Sequence, residues 1–494
     1  MDDRQWPLTL LVGGASLCLF LFFASGHVQT IDVGQSIGLS QRIVSPGTLS
    51  LVGFPEVAGG GAVRGRGGML YSTHDIGMAL IFLPISALRH WGVLPPSVAD
   101  LAYVVINPVF GAVLVATVFR FGWRLSGDRG AAVWSAFVLA GCTYLLAYAR
   151  ISFDAIPTAT ALVAAIYLAW RGIESHDVGR ITLAGLCGAA AVLVRTDSVV
   201  MLAGVSVWVV WWSWRRRSAM PLFCWSAPLV GALAVNAWFN WARYGGVLRT
   251  GHADDPQTTF RADVWYGAVG QLVSPGKGLL FFAPPVIIAV IGWRQMLRDQ
   301  RALGMAMLSG GVATLLLFSA IENWSGAEAV GPRFLVPVLV VLWAPAVFVF
   351  ARWSDATVGV RAGVIALCAI GAAVQVGLGV SQDVAINRLH GGRLHLEAFR
   401  SSQIVYSWEA LWDGLMDRPI TEGGVVPAPV ARLDVWWAGA SPHIATTPAV
   451  RVIALALAVS AASLAWTAIR CAGSDGVENR QVGSDDVATT APPR

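Results

Sequence analysis

Long apolar stretches separated by short polar ones run the length of the chain, with a spacing that a bilayer sets. Apolar runs lie near residues 7–25, 75–91, 98–119, 130–148, 154–170, 181–194 and 198–214, and again near 220–240, 278–297, 303–321, 332–351, 358–380 and 449–468. Most hold roughly 17 to 22 residues, the helix length that crosses a hydrocarbon core of ~30 Å. The pattern predicts an all-α polytopic integral membrane protein with about 12 to 13 transmembrane or juxtamembrane helices. Several runs carry internal Pro or Gly, which buried helices tolerate when neighbours satisfy the freed backbone groups. The first run exceeds the apolar core of a secretory signal and no small-x-small cleavage site precedes the polar stretch, so it reads as a retained span.

The polar stretches then set the sides. Arginine clusters in "RFGWRLSGDR", "WRGIESHDVGR", "WWSWRRR", "WRQMLRDQR" and "ARWSDATVGVR", and the tail from Arg470, read as cytoplasmic by the positive-inside rule. That leaves 241–276, 322–331 and 380–448 on the outer side. Counting back to the N-terminus gives one crossing too many, and a juxtamembrane or re-entrant helix at 75–91 repairs the parity. The expected organisation is a transmembrane module over 1–380 with a first extracytoplasmic loop at 26–74. An extracytoplasmic loop region at 381–448, a last transmembrane helix at 449–470 and a disordered cytoplasmic tail at 471–494 follow. No internal repeat is apparent, which weakens an inverted-repeat transporter reading.

Composition agrees: of 494 residues 56% are hydrophobic and 13% charged, and the mean hydropathy is +0.63, which excludes an ordinary soluble domain. The net charge of +5 comes mainly from the arginine clusters, so it reflects topology and not nucleic-acid binding. Six cysteines lie in apolar runs or the tail with no CxxC spacing, supporting neither a disulfide framework nor a cysteine metal site. Lys277 is the only lysine in an arginine-rich chain.

Charge at a membrane edge is costly, so its placement is the main clue to chemistry. Asp32 stands just after the first span, and "RGRGGMLYSTHDIGMALIFLP" puts Arg64, Arg66, His74 and Asp75 at the mouth of the next run. His74 and Asp75 read either as a polar helix start or as substrate contacts. "NWARYGGVLRTGHADDP" and "LVSPGKGLLFFAPP" follow, the latter a Gly-rich turn carrying Lys277 into a helix, where backbone N–H groups favour an anion. It is not a nucleotide-binding loop, since GxxxxGK[ST] is absent; a lysine snorkelling to the interface is the other reading. In "ENWSGAEAVGPRFLVP" Glu322, Trp324, Glu328 and Arg333 surround a join between spans, and Arg333 suits either a phosphate or Glu328. "YARISFDAIP" and "VLVRTDSVV" place Arg150, Asp154, Arg195 and Asp197 at span ends. Pairing explains Arg195 with Asp197, while Asp154 is the one that would face a cavity. Tyr406, Trp408, Trp412, Trp436 and Trp437 in the late loop suit either sugar stacking or an interfacial aromatic belt.

Taken in order, Asp32 after the first span, "GGMLYSTHDIGMALIFLP", "RYGGVLRTG", "SPGKGLLFFAPP" and "WSGAEAVGPRFLVPVL" resemble the polyprenyl-phosphate-dependent glycosyltransferases of the C-type fold, the superfamily of the protein O-mannosyltransferases. The likeness covers most of residues 1–350 as ordered loop landmarks. It implies a sugar donor on a long-chain polyprenyl phosphate, used on the extracytoplasmic face of the cell membrane, with inversion. It also implies a general base at Asp32, and Lys277, Arg333, Arg249 and Arg66 as cations for the donor phosphate. His74, Asp75, Asp154, Glu328 and Trp324 are then candidate substrate contacts. The family often carries an Asp-Glu pair in the first loop where this chain has Asp32 and Val33, so the resemblance supplies a base and leaves a divalent metal open. No cofactor or nucleotide is required, and the acceptor is a protein, a lipid or a polysaccharide. A multi-pass transporter or a flippase for lipid-linked glycans of the envelope is the alternative. It predicts paired charges in mid-span, whereas these cluster at outer loops.

Overall fold

The computed structural model describes residues 5–54, 61–253, 258–260, 263–326, 329–381, 399–416, 433–438, 444 and 447–485. Among these, nine helices are long and apolar enough to cross a membrane and three more are apolar but shorter. The chain is a multi-pass membrane protein made of helices, and its one sheet among the described residues is a two-stranded antiparallel hairpin, β1 (Val63–Arg64) with β2 (Leu70–Tyr71).

All the apolar runs are helical; some are broken, while Pro108 and Pro228 lie inside continuous helices. The first span is α1 (Gln5–Phe23) and the long run before the first arginine cluster is α4 (Pro96–Ser126). The 130–148 run divides into α5 (Arg129–Cys142) and α6 (Leu145–Ala149) at Thr143, which is extended. Then α7 (Ala155–Ser175), α8 (Val178–Val194), α9 (Ser198–Arg215) and α10 (Met220–Tyr244) follow with short turns. Beyond α11 (Val264–Val273), the 278–297 run divides into α12 (Leu279–Phe282) and α13 (Val286–Asp299) around Pro284 and Pro285, which cannot donate a ladder hydrogen bond. The bundle continues with α14 (Arg301–Ser319), α15 (Val336–Trp343), α16 (Val347–Ala351) and α17 (Val358–Val380).

Two features shape the first loop. Its beginning is a helix, α2 (Ile31–Val44), where a plain loop was expected; Thr30 caps it, Oγ1 accepting from Val33 N at 3.3 Å. The run at 75–91 forms α3 (Gly77–His90), whose 14 residues rise about 21 Å, short of a full crossing. These two helices pack together, and a hydroxyl chain joins them to α4: Ser40 Oγ lies 2.5 Å from Ser86 Oγ, which lies 2.8 Å from Tyr103 Oη.

Small residues set the tightest crossings, as between helices that lack a water-driven hydrophobic attraction. A Cβ on Gly204 of α9 would stand 2.2 Å from the Ala306 carbonyl, and one on Gly310 of α14 would stand 2.2 Å from the Met201 carbonyl.

The polar stretches expected outside meet at one end of the bundle. Phe260 bridges Ile321, and Glu322 N donates to Thr259 O at 2.9 Å. From the late loop, α18 (Gln403–Leu415) packs on α17, and residues 433–438 fold over the end of α1. Trp436 and Trp437 lie half-buried against that end. Their Nε1–H groups donate to Leu21 O at 2.8 Å and Phe22 O at 2.9 Å, satisfying terminal carbonyls of α1. The last helix, α19 (Pro448–Asp485), packs against α1 and continues well past Arg470, where a disordered tail was expected. Extending an existing helix needs no new nucleus, so a polar sequence can follow an apolar one into it. The rest of that tail, 486–494, lies outside the described residues.

Candidate active site

Asp32 sits in the first turn of α2 and opens into a cleft bounded by Ser36 of the same helix, Met78 of α3, Ser152 to Asp154 before α7, and Val194. Two cations face its carboxylate. His74 Nε2 is 3.2 Å from Oδ1 and Arg333 Nη1 is 3.9 Å from Oδ2. The carboxylate keeps 37% of its side-chain surface exposed, so it is held by partners yet reachable.

Buried polar contacts fix the segment that carries His74. Arg243, at the end of α10 and 1% exposed, donates through Nη1 to the carbonyls of Ser72 and His74, the latter at 3.0 Å, and through Nη2 to Asn240 Oδ1 at 3.0 Å. Tyr244 Oη donates to Ser72 O at 2.6 Å, and Thr73 N donates to Gln35 Oε1 of α2 at 3.0 Å. Asp75 Oδ2 accepts from Thr196 N at 2.7 Å and Thr196 Oγ1 at 2.9 Å, tying the segment to the α8–α9 turn. Gly251 lies so close to Thr73 that a Cβ there would stand 2.4 Å from its Cα, so the "RTG" glycine seals this face.

Arginine and aromatic rings form the opposite wall. Phe318 and Phe334 stack with centroids 4.4 Å apart; Arg333 lies 4.7 Å over Phe334, and Arg195 lies 5.6 Å and 5.9 Å over the two rings. Arg195 pairs with Asp197 as expected, Nε to Oδ1 at 3.1 Å, and also reaches Asp154 at 3.7 Å. Arg333 Nε and Asp154 Oδ1 are buried with no hydrogen-bond partner among the described residues. Buried polar atoms are rarely left so, and two on the walls of one cleft leave polar capacity for a ligand.

The electrostatics follow from this geometry. Burial pushes the Asp32 carboxyl up, but His74, then Arg333 and His252, outweigh it and hold it well below the usual carboxylate range. His74 responds oppositely: burial lowers it, and the Asp32 charge more than compensates, so the imidazole protonates above its ordinary 6.5. Asp75 is raised, because burial exceeds the help of its Thr196 hydrogen bonds.

The structure thus gathers Asp32, His74, Asp154 and Arg333 at one cleft and puts Asp75 behind it as an anchor. Lys277 is fully buried, and its ammonium donates to the Ala329 carbonyl. Arg333 follows four residues later in the same strap. Tyr148 Oη donates to Val330 O at 2.8 Å; Gln403 Nε2 donates to Ala329 O at 3.0 Å, and Gln403 Oε1 accepts from Gly331 N at 2.9 Å. Arg66 lies over Trp241 at 4.8 Å, and Arg249 is exposed. Trp324 is buried edge-on to Tyr266 at 5.6 Å, a packing role. Glu328 lies outside the described residues. Sequence reasoning overlooked three groups: His252, whose ring is 6.1 Å from that of His74, Arg243, and Arg195 as the partner of Asp154. The quoted motif "RYGGVLRTGHADDP" contained the first two, but nothing in it shows that it folds onto residues 72–74. Among the described residues no three His, Cys, Asp or Glu side chains gather as a metal-ligand set.

Gln403 supplies a direct check on the strap. Gln403→Leu keeps the volume and strands the buried Gly331 N–H, a cost of about 1–3 kcal/mol. Thermal unfolding in detergent should show a clear fall in Tm, and an unchanged Tm would mean that α18 does not hold the strap.

The arrangement of helices is that of the C-type membrane glycosyltransferases. Among solved structures, the chain is similar to ArnT from Cupriavidus metallidurans in the apo state, with 14% identity, a TM-score of 0.50, and 95% of this chain and 75% of that one covered. ArnT from the same organism bound to undecaprenyl phosphate aligns at 13% identity and a TM-score of 0.46 over 82% of this chain and 75% of that one. The oligosaccharyltransferase AglB from Archaeoglobus fulgidus, in complex with an inhibitory peptide and a dolichol-phosphate, aligns at 12% identity and 0.45 over 81% of this chain and 61% of that one. No protein-family profile and no curated protein matches the sequence.

Proposed function

We propose that this protein is a membrane glycosyltransferase that moves a sugar from a polyprenyl-phosphate-linked donor to an acceptor hydroxyl on the extracytoplasmic face of the cell membrane, with inversion and with Asp32 as general base. The observation that carries the proposal is the reachable carboxylate of Asp32, held ionised by His74 and Arg333, in a cleft whose walls present unsatisfied Arg333 and Asp154 atoms. The C-type fold and the ordered loop landmarks support it.

In the reaction, the acceptor oxygen attacks the anomeric carbon as its proton passes to Asp32. The bond from that carbon to the phosphate oxygen breaks, and the electron pair leaves with polyprenyl phosphate. That leaving group is already a competent anion, so it needs cations and no acid. Base and leaving group stand on opposite faces of an inverting centre, several ångströms apart. Arg333 keeps Asp32 ionised through Nη1, and its Nε, which has no hydrogen-bond partner among the described residues, is a donor for the phosphate. Lys277 holds the strap from the other end, and Arg249 and Arg66 extend the basic surface. His74 keeps the base ionised, and Asp154 binds sugar hydroxyls.

The test is transfer of radiolabelled sugar by the purified protein in detergent, from a panel of polyprenyl-phosphate sugars to acceptors in an envelope extract. Labelled product together with released polyprenyl phosphate is expected from at least one donor. No transfer from any donor would remove the enzyme reading and leave the transporter or flippase.

A further inference from the structure

A second cleft, of about 570 Å³, lies far from Asp32 between α13 and the α16–α17 turn. It adjoins Val360 near the start of α17, whose other end leads to Ser381. The Ser381 carbonyl accepts from Arg150 near the outer end of α1, so 23 helical residues, about 35 Å, separate this cleft from the end of the bundle that holds Asp32. It faces the opposite leaflet.

Three guanidiniums line it, from Arg294, Arg298 and Arg352, against one carboxylate, Asp355. Arg352 Nη2 is steadied by Gln295 Oε1 at 2.7 Å. Arg294 and Arg298 pair with no acidic side chain among the described residues. The nearby Arg361 is spent on the carbonyls of Trp353 and Ser354, at 3.1 Å and 2.8 Å. A positive-inside bias accounts for arginines at this end of the bundle but not for three converging on one cavity.

On α13 the two arginines continue an apolar stripe. Ile287, Val290 and Ile291 are exposed, and with Arg294 and Arg298 they recur at helical spacing, so one face passes from lipid-facing aliphatic to cationic. That is the profile of a phospholipid, with chains along Ile287 to Ile291 and a phosphate at the arginines.

We infer that the α13–α17 cleft is a binding site for the phosphate headgroup of an anionic phospholipid in the leaflet opposite the candidate active site. Basic pockets between transmembrane helices recognise such headgroups, and a lipid seated here ties α13 to the α16–α17 turn. A ligand that binds only the folded state raises Tm by an amount that grows with the logarithm of its concentration over Kd.

The experiment compares delipidated full-length protein with an Arg294→Gln/Arg298→Gln variant in detergent, following thermal unfolding as phosphatidylglycerol, phosphatidylcholine or inorganic phosphate is added. Both arginines are exposed, so the unliganded variant should unfold near the wild-type Tm. Phosphatidylglycerol is expected to raise the wild-type Tm while phosphatidylcholine and phosphate do not, and the variant should need at least tenfold more lipid for the same rise. An equal response to phosphatidylcholine, an equal response of the variant, or reproduction of the effect by inorganic phosphate would overturn the proposal. Because Tm is the readout, the result is independent of whether any sugar is transferred.

Discussion

Asp32→Asn should lower the rate of sugar transfer about 10²- to 10⁴-fold, the range expected when a positioned general base is removed. The substitution is isosteric and its site is partly exposed, so folding should survive and the loss should appear in kcat. Transfer at the wild-type rate by Asp32→Asn protein would move the base to another carboxylate of the cleft, Asp154 first. The pH profile sharpens the test. Asp32 has a depressed folded pKa, so its ionised form and its share of stability are present above the ordinary carboxylate range and are lost only as pH falls through the lower folded value. His74 is raised, so its contribution is complete below 6.5 and is lost as pH rises through the higher folded value. Wild-type kcat/KM should therefore show no acidic limb near pH 4. In His74→Ala, which removes the main opposing charge, that limb should move up toward the ordinary carboxylate range. An unmoved limb would show that His74 does not set the ionisation of the base.

Arg150→Ala should be the most destabilising single substitution outside the hydrophobic core, by about 3–5 kcal/mol, because it leaves a buried carboxylate without its counter-charge. Arg150 and Asp434 are 1% and 3% exposed and pair at 2.7 Å. Arg150 also donates through Nε to Phe23 O at 2.9 Å and through Nη2 to the Asp434 carbonyl. His27 lies 3.4 Å from the other carboxylate oxygen, and Gln29 donates to Asp434 Oδ2. One arginine thus joins the end of α1, the turn after α6 and the late loop. Thermal unfolding in detergent measures the loss, and the double variant Arg150→Met/Asp434→Leu should recover most of it, since replacing both partners removes the stranded charge. A double variant no more stable than Arg150→Ala would show that the clasp acts through packing and not through charge.

How much of this was legible depends on which distances each feature spans. The helical runs were readable because a bilayer imposes a length that any local window reveals, but their breaks were not, since Pro284 and Pro285 interrupt one run while Pro108 and Pro228 stay inside continuous helices. Asp32 stood out because a carboxylate beside a span is costly. The helix that carries it did not stand out: α2 has a polar, Gly-containing sequence, and its buried face exists only because α3 packs on it. For Trp436 and Trp437 the sequence left sugar stacking and an interfacial aromatic belt both open, since an aromatic residue in an outer loop carries no local sign that its N–H caps a helix more than 400 residues earlier in the chain.

By itself the sequence determined that the chain is a multi-pass helical membrane protein and singled out a short set of charged residues beside the spans, because hydropathy and charge cost are local properties of the chain. Tertiary structure alone decided which of those charges meet. It set His74 and Arg333 against Asp32, turned Asp75 onto Thr196, buried Lys277 in the strap, and recruited Arg243, His252 and Gln403. Pairing energies depend on contacts between segments tens to hundreds of residues apart, and helix packing, not any pattern along the chain, fixes those contacts.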